Sequence, residues 1–161
     1  MFWMQSRKEF DANKGEKNKR AMRALVRGGR EPGILAYSCG EPVGWCAVGP
    51  REGYKLLENS RVLRRVDDKP VWSIVCFFIA KRARRRGVSE ALIEAALKFA
   101  KKRGAKIVEG YPVEPRKDRM PDVFAWTGFY SAFRNAGFRE VGRRSESRPI
   151  LRYEFGANKK P

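Results

Sequence analysis

The chain of 161 residues contains no histidine and only three cysteines. Without histidine the commonest general base of enzymes is missing, and without a Cys-x-x-Cys pair a structural zinc site is not expected. The cysteines are an odd number at strand-like positions, namely Cys39, Cys46 and Cys76. This pattern predicts reduced, buried thiols in a cytoplasmic protein.

Long hydrophobic runs are also missing. No apolar run approaches the ~20 residues of a membrane helix, and the initial MFWM lacks the basic region, apolar length and cleavage site of a signal peptide. No internal repeat is visible. Hydrophobic residues nevertheless make up 42% of the chain and aromatic residues 12%, which is typical of globular proteins. The length predicts a single domain over residues 1–161 that can bury a core.

Acidic residues are scarce relative to basic ones. There are 18 Asp and Glu against 36 Lys and Arg, so the formal net charge is +18. Such an excess attracts polyanions and speeds encounters with anionic ligands. The basic residues run from Arg7 to Lys160 and thus extend beyond any one pocket. Attraction of one anionic ligand would account for only part of this positive charge. Nonspecific nucleic-acid affinity and simple solubility are both open explanations for the remainder.

The most informative stretch covers residues 71–104. VWSIVCFFIA predicts a strand buried on both faces, and KRARRRG adds five cations and a glycine. The residues that follow predict a helix ending at Gly104, with one apolar stripe formed by Val88, Leu92, Ala95, Ala96 and Phe99. A helix start preceded by arginines offers free N–H groups to an anion. We expect that anion to be a pyrophosphate.

The rest of the chain predicts shorter elements on either side of this stretch. Residues 1–5 are expected to be a truncated first strand, and Gly15 is expected to break any helix in the polar segment 6–19. Residues 156–161 are expected to form a loose tail. The other predicted elements are a basic helix at 17–27, hairpin strands at 34–37 and 43–48, a second buried strand at 106–113, a helix at 127–136 with Thr127 as N-cap and Gly137 as its stop, and a closing hairpin of 138–144 with 150–155.

Residues 84–89, RRRGVS, resemble the Gln/Arg-x-x-Gly-x-Gly/Ala signature of the GNAT superfamily of acetyl-CoA-dependent N-acyltransferases, with Ser89 as a departure. A single glycine without Gly-Lys-Ser/Thr fits neither a Rossmann fingerprint nor a P-loop. The predicted strand before it, the helix and second strand after it, and a late Ala-Gly-Phe at 136–138 follow the order of the family. The resemblance covers about residues 34–153.

The resemblance implies an α+β fold with a GNAT-like mixed, mostly antiparallel central sheet and flanking helices. The parallel strands at 71–79 and 106–113 would splay apart and admit the pantetheine arm of acetyl-CoA. The resemblance further implies the residues that would hold the coenzyme. Backbone groups at Phe78 and Ile79 would bind the arm, and the pyrophosphate would contact Arg84, Arg86 and the amides of Gly87, Val88 and Ser89.

The implied reaction is direct attack of a neutral amine on the thioester in a ternary complex, which requires orientation and two proton transfers. Phe133 stands where many family members place a tyrosine facing the coenzyme sulfur, and it cannot donate a proton. Tyr130 is one turn earlier on the same helix and would replace that tyrosine only if the helix is rotated or shifted. Glu109 is the only carboxylate in the two buried strands, and Tyr111 lies on the same face. Glu109 is a candidate base, with a salt bridge to an arginine as the alternative.

Two long connections, residues 51–70 and 114–125, are expected to form lids beside the substrate. Their acids would attract a cationic amine or, alternatively, pair with neighbouring arginines. The acids are Glu52, Glu58, Asp67, Asp68, Glu114, Asp118 and Asp122, and the arginines are Arg64, Arg65, Arg116 and Arg119. Two rival functions stay open: an acyl-CoA-binding domain with little catalysis, and a basic nucleic-acid-binding protein. The sequence indicates neither the acceptor nor the oligomeric state, for which a homodimer is one candidate.

Overall fold

The computed structural model of the protein describes residues 1–114 and 126–156. Six strands form one sheet in the order β1-β2-β3-β4-β6-β5, and among the described strands only β3 and β4 pair in parallel. This arrangement confirms the predicted α+β class. The strands are β1 (Ile34–Ser38), β2 (Glu41–Pro50), β3 (Trp72–Ile79), β4 (Ile107–Gly110), β5 (Arg139–Arg143) and β6 (Pro149–Glu154). The helices are α1 (Arg7–Ala12), α2 (Glu16–Arg27), α3 (Lys55–Glu58), α4 (Val88–Lys102) and α5 (Tyr130–Asn135).

The sheet is covered on both faces. One apolar cluster joins α4 and α5 to the inner side chains of β2, β3 and β4. A second cluster lies on the other face, under α3 and the first residues of the chain. The predicted apolar stripe of α4 is rotated slightly, because Ala95 is exposed whereas Ile93, Leu97 and Ala100 are buried with Leu92.

The hairpin between β1 and β2 turns more tightly than the sequence indicated. Its two central residues, Cys39 and Gly40, have φ values of 51° and 78°. Two successive positive φ values characterise the type I′ turn, whose twist matches that of the flanking strands. Cys39 is therefore exposed at the tip of a hairpin, contrary to its expected burial, while Cys46 is buried and Cys76 half-buried.

The N-terminal residues do not form the predicted strand. Phe2–Met4 is a 3-10 turn, because the Trp3 side chain inserts beneath the sheet and packs 5.4 Å from the Trp126 ring. A helix, α1, follows where only a polar segment was expected. Its start is a capping box in which Ser6 Oγ accepts from the Glu9 N–H and Glu9 accepts from the Ser6 N–H. The Ser-x-x-Glu signal for it was present in the sequence.

The helix predicted at 127–136 begins three residues late, at Tyr130. Thr127 is not its N-cap, since the buried Thr127 hydroxyl accepts a hydrogen bond from Arg148 at 2.7 Å. Val113 pairs with this segment: the Val113 N–H donates to Gly128 O at 2.9 Å and the Tyr130 N–H donates to Val113 O at 3.1 Å. This pairing keeps Phe129 extended and delays the helix until Tyr130, while Thr127 lies in a 3-10 turn and Gly128 has a φ of 85°. The predicted stop at Gly137 is confirmed by its φ of 88°.

Candidate active site at a fork in the sheet

The parallel strands β3 and β4 diverge after a short pairing. Their register covers only Trp72–Ile74 against Val108–Gly110, and β3 continues alone to Ile79. Beyond Gly110 the chain pairs instead with the segment before α5, through a bridge between Val113 and Phe129. The result is a fork whose open edge is the end of β3. The splayed pair expected from the sequence is therefore present.

A bulge in β3 bends the strand at the base of the fork. The β2–β3 register passes from Cys76 to Ile74 and leaves Val75 without a partner. Val75 and Cys76 consequently both face the cluster under α3, whereas Ile74 and Phe77 face α4. A bulge bends its strand and increases the local twist, which turns the end of β3 away from β4.

The backbone direction decides which groups face the fork. The Ala80 N–H donates to Val43 O at 2.9 Å, and backbone groups alternate along a strand. The backbone of Phe78 therefore faces β2, while that of Ile79 faces the open edge. The Phe78 side chain is 61% exposed, so β3 is not buried on both faces at its end. The Ile79 carbonyl accepts from Arg84 Nε at 3.1 Å, which links the basic turn to the strand.

The basic turn ends at the start of α4. Gly87 has a φ of 72° and no side chain to cap the helix, and the first hydrogen bond of α4 runs from the Ala91 N–H to Gly87 O at 3.1 Å. The amides of Val88 and Ser89 precede that bond and point out of the helix start. Arg86 is exposed beside them. The structure thus brings the predicted pyrophosphate residues together at the mouth of the fork.

Phe133 fills the base of the fork on the α5 side. Its side chain is completely buried, with the Phe77 ring at 6.0 Å and the Phe138 ring at 5.0 Å. Gly110 and Gly128 lie against this ring so closely that a Cβ at either position would collide with it. Phe133 is therefore a core residue that borders the fork, and it has no hydroxyl to offer there.

We expect Gly110→Ala to lower the free energy of unfolding by about 1–3 kcal/mol, because the added methyl overlaps the Phe133 ring and overpacked cores lose about that much. Urea denaturation measures the effect. Gly53→Ala is the control, since a Cβ at Gly53 meets nothing within 4 Å. A Gly110→Ala protein as stable as the Gly53→Ala protein would show that the ring is free to move aside.

Tyr130 and Trp126 contact two other parts of the chain. Tyr130 is half-buried beside β5, with the Arg143 guanidinium carbon 5.9 Å from its ring centroid. Trp126 packs edge-to-face on Phe2, with the ring centroids 5.3 Å apart, and at a tilt on Trp3. These contacts turn Trp126 towards the N-terminal segment.

Glu109 and Tyr111 belong to a buried polar network at the vertex of the fork. Glu109 is 1% exposed. Its Oε1 accepts from Arg152 Nη2 at 2.7 Å and its Oε2 accepts from the Tyr111 hydroxyl at 2.9 Å. The Tyr111 hydroxyl also lies 2.9 Å from Ser73 Oγ. Burial raises the pKa of Tyr111 well above its usual value. Both oxygens of Glu109 are engaged, so the geometry favours the salt-bridge alternative.

Arg51 is the centre of this network, and its role was not visible in the sequence. Its side chain is completely buried. One guanidinium nitrogen donates to the Tyr111 hydroxyl at 2.8 Å, another donates to Leu63 O at 2.7 Å, and Nε pairs with Glu58. Arg51 thereby holds the connection 51–70 against the end of β4. Arginine is rarely buried, so no sequence rule points to it.

Most of the described lid acids are paired with arginines. Arg65 binds Glu52 at 2.9 Å and Glu58 at 3.0 Å. The other partners come from β5 and β6: Asp67 pairs with Arg152 at 2.7 Å and Glu114 with Arg143 at 2.6 Å. The hydrogen bond from Arg152 lowers the pKa of Asp67. Asp118, Asp122, Arg116 and Arg119 lie outside the described residues, as do residues 157–161 of the expected tail.

The described part of the chain offers no group of three Cys, Asp or Glu side chains that could hold a metal ion. None of the described helices is both long and apolar enough to cross a membrane. Burial raises the pKa of Cys76 to about 11, so this thiol is protonated at neutral pH.

A mixed sheet with a fork and a basic glycine turn defines the fold class of the acetyltransferases. The sequence profile of the Acetyltransferase (GNAT) family matches residues 2–129. The chain therefore belongs to the GNAT acetyltransferase family. No curated protein sequence matches it significantly.

Solved structures agree on the fold. The PaiA N-acetyltransferase from Thermoplasma acidophilum, in complex with coenzyme A, has a TM-score of 0.55 at 13% identity, covering 94% of this chain and 81% of its own. A GNAT-family acetyltransferase from Streptococcus pneumoniae has a TM-score of 0.55 at 13% identity, covering 89% and 78%. The ribosomal-protein-alanine N-acetyltransferase from Brucella melitensis has a TM-score of 0.50 at 18% identity, covering 85% and 75%.

Proposed function

We propose that this protein transfers an acetyl group from acetyl-CoA to an amine by direct attack in a ternary complex. The observation that carries the proposal is the fork between β3 and β4, with an uncapped helix start and exposed arginines at its mouth. Membership of the GNAT family supports acetyl transfer in general. The acceptor class and the residue roles are part of the proposal.

The residues at the fork fit the proposed coenzyme. Ile79 presents backbone groups to the open edge, as an extended pantetheine arm requires, and the Phe78 ring is exposed nearby. The Val88 and Ser89 amides at the start of a fifteen-residue helix, together with the Arg86 side chain, suit a diphosphate. Arg84 would complete the cradle from its place beside Ile79 O. When bound, acetyl-CoA supplies an activated thioester.

The residues of the chain would orient the two substrates and polarise the thioester carbonyl. The Ile79 N–H at the open edge would donate to the oxygen on which negative charge develops. We assign Glu109 and Tyr111 a positioning role, because their polar atoms are engaged at the vertex of the fork. Tyr130 is the proposed proton donor to the departing thiolate, since Phe133 carries no proton to give, and this role requires α5 to shift so that the Tyr130 ring leaves its place beside Arg143.

Two measurements test the proposal. Isothermal titration with CoA should show binding, and a thiol-release assay with acetyl-CoA over polyamines, aminoglycosides, amino acids and peptide N-termini should show turnover with at least one amine class. Failure of CoA to bind would overturn the proposal. The amine that gives the highest kcat/KM would identify the acceptor class.

A second candidate function is an acyl-CoA-binding domain with little catalysis. The specific observation in its favour is Phe133, whose buried ring stands where many family members place a tyrosine. Tight CoA binding without turnover on any amine would favour this candidate over the transferase.

Phe133→Tyr probes the same difference. If protonation of the departing thiolate limits the rate, we expect the added hydroxyl to raise kcat by about 100-fold, at the lower end of what general-acid catalysis contributes. The measurement is kcat at saturating amine and acetyl-CoA. Phe138→Tyr is the control, because it adds a hydroxyl to the neighbouring buried ring. An unchanged kcat would show that another step limits turnover.

A further inference from the structure

The outward side of α2 carries a row of arginines. Arg20, Arg23 and Arg27 follow one another at spacings of three and four residues, which places them on one face of the helix, and all three are exposed. We call them the arginine row. Among the residues that the structure describes, the ion pair of α2 joins Lys19 to Glu16 at 3.1 Å, and the arginine row has no acidic partner.

A largely apolar groove of about 470 Å³ is lined on one side by Met22 and Val26 of α2, which precede Arg23 and Arg27 of the arginine row in the sequence. It lies between α2 and the sheet face opposite α4, and it is partly open because Val26 and Leu35 are 53% and 54% exposed. We call it the α2 groove. It is lined by Met22, Val26, Arg30, Glu31, Pro32, Gly33, Leu35 and Trp45. Arg30 is the arginine of this lining, and Glu31 beside it pairs with Arg103. An apolar groove with an indole, on the helix that carries the arginine row, suits a ligand that is flat and apolar on one side and anionic on the other.

We propose that this face binds single-stranded nucleic acid, with phosphates on the arginine row and an unpaired base in the α2 groove. Arginine suits phosphate through its fork of N–H donors, and aromatic rings accept bases of any sequence by stacking. The arginine row spans about 10 Å of helix, at ~1.5 Å per residue, which matches about three phosphates of a stacked strand. The net charge of +18 complements such a partner.

Other polyanions fit less well. A duplex keeps its bases paired and cannot place one in the α2 groove, while an acidic peptide carries no base to stack on Trp45. Trp45 faces away from α4, because Gly44 beside it packs on the Val88 and Leu92 side chains. Trp45 is the cross-strand partner of Phe78, so the α2 groove adjoins the end of β3. The arginine row is not among the residues proposed for the coenzyme, and we therefore expect oligo(dT) binding to persist at saturating CoA.

The test is fluorescence anisotropy with a labelled oligo(dT) of about twelve nucleotides over about 50–300 mM salt. We expect the triple substitution Arg20→Gln, Arg23→Gln and Arg27→Gln to weaken binding at least 10-fold at about 100 mM salt. It should also make the slope of log K against log salt shallower by about 2, since each phosphate contact on a single strand contributes about 0.7. CoA binding and the melting temperature are measured on the same variants.

The matched control removes the same charge from another exposed face, by Lys98→Gln, Lys102→Gln and Lys106→Gln. This variant should bind oligo(dT) within about threefold of the original protein. Leu35→Asn tests the α2 groove. It should weaken the binding of oligo(dT) about fivefold and leave the binding of inorganic polyphosphate unchanged. If the two triple variants lost equal affinity for oligo(dT), the effect would come from net charge alone, and the proposal would be overturned. So would the absence of oligo(dT) binding, or equal affinity for duplex DNA, polyphosphate, polyglutamate or phosphatidylglycerol vesicles.

Discussion

Replacing Arg51 with methionine is expected to lower the free energy of unfolding by about 3–5 kcal/mol, the usual cost of removing one partner from a buried charge network. The Arg51 side chain is completely buried and bonds to the Tyr111 hydroxyl and Leu63 O, besides pairing with Glu58. Methionine keeps the apolar stem but leaves these acceptors without their donor. Urea denaturation at unchanged m value measures the loss.

Arg65→Met is the matched control for this prediction. Arg65 also pairs with Glu58, at 3.0 Å, but its side chain is 30% exposed. Ion pairs that water reaches contribute about 0–1 kcal/mol, so Arg65→Met should cost less than a third of the Arg51→Met loss. Equal losses would mean that burial of the Arg51 guanidinium is not what makes the network costly to break. The comparison separates burial from charge, since both variants lose one cation beside the same carboxylate.

Gly87→Glu is expected to weaken CoA binding at least 100-fold. The substitution places a carboxylate where the proposed diphosphate binds, and it brings that charge close to Glu90, whose carboxylate already lies 3.7 Å from the Cβ position. It also forces a non-glycine residue into a φ of 72°, which costs about 1–2 kcal/mol of stability. Isothermal titration with CoA measures the affinity, and circular dichroism checks the fold.

Gly104→Glu is the matched control, because it makes the same substitution at the opposite end of α4. Gly104 follows the opposite end of α4, has a φ of 83° and has nothing within 4 Å of its Cβ position. The two variants therefore share the backbone strain and the change of charge. Gly104→Glu should bind CoA within about threefold of the original protein. If both variants lost affinity equally, the pyrophosphate site at the start of α4 would be wrong.

The part of the site that is local in sequence was predictable. The strand, basic turn and helix of residues 71–104 are contiguous, and their apolar periodicity and glycines predict the elements directly. The positive φ at Gly87 and the helix start at Val88 occur where the pattern places them. The errors in this stretch are small, such as the exposure of Ala95 and of Phe78, because periodicity fixes the spacing of a face but not how a neighbour covers it.

The part built from distant residues was not predictable. Arg51 meets Tyr111 across sixty positions and Arg152 meets Glu109 across forty-three, and no spacing rule links them. The sequence left Glu109 open between a base and a salt bridge, and only the packed sheet brings Arg152 to one of its oxygens. Likewise Thr127 had the right chemistry for an N-cap, but the hydrogen bonds of Val113 to Gly128 and Tyr130 delay the helix until Tyr130.

The sequence by itself determined the family, the α+β class and the start of α4 after Gly87, because each depends on residues near one another along the chain. The tertiary structure alone decided that β3 bulges at Val75, that Phe133 fills the base of the fork, and that the charges at its vertex neutralise one another. The physical reason is burial. A side chain that leaves water must find its partner among residues the fold brings together, and their distance along the chain carries no signal of that meeting.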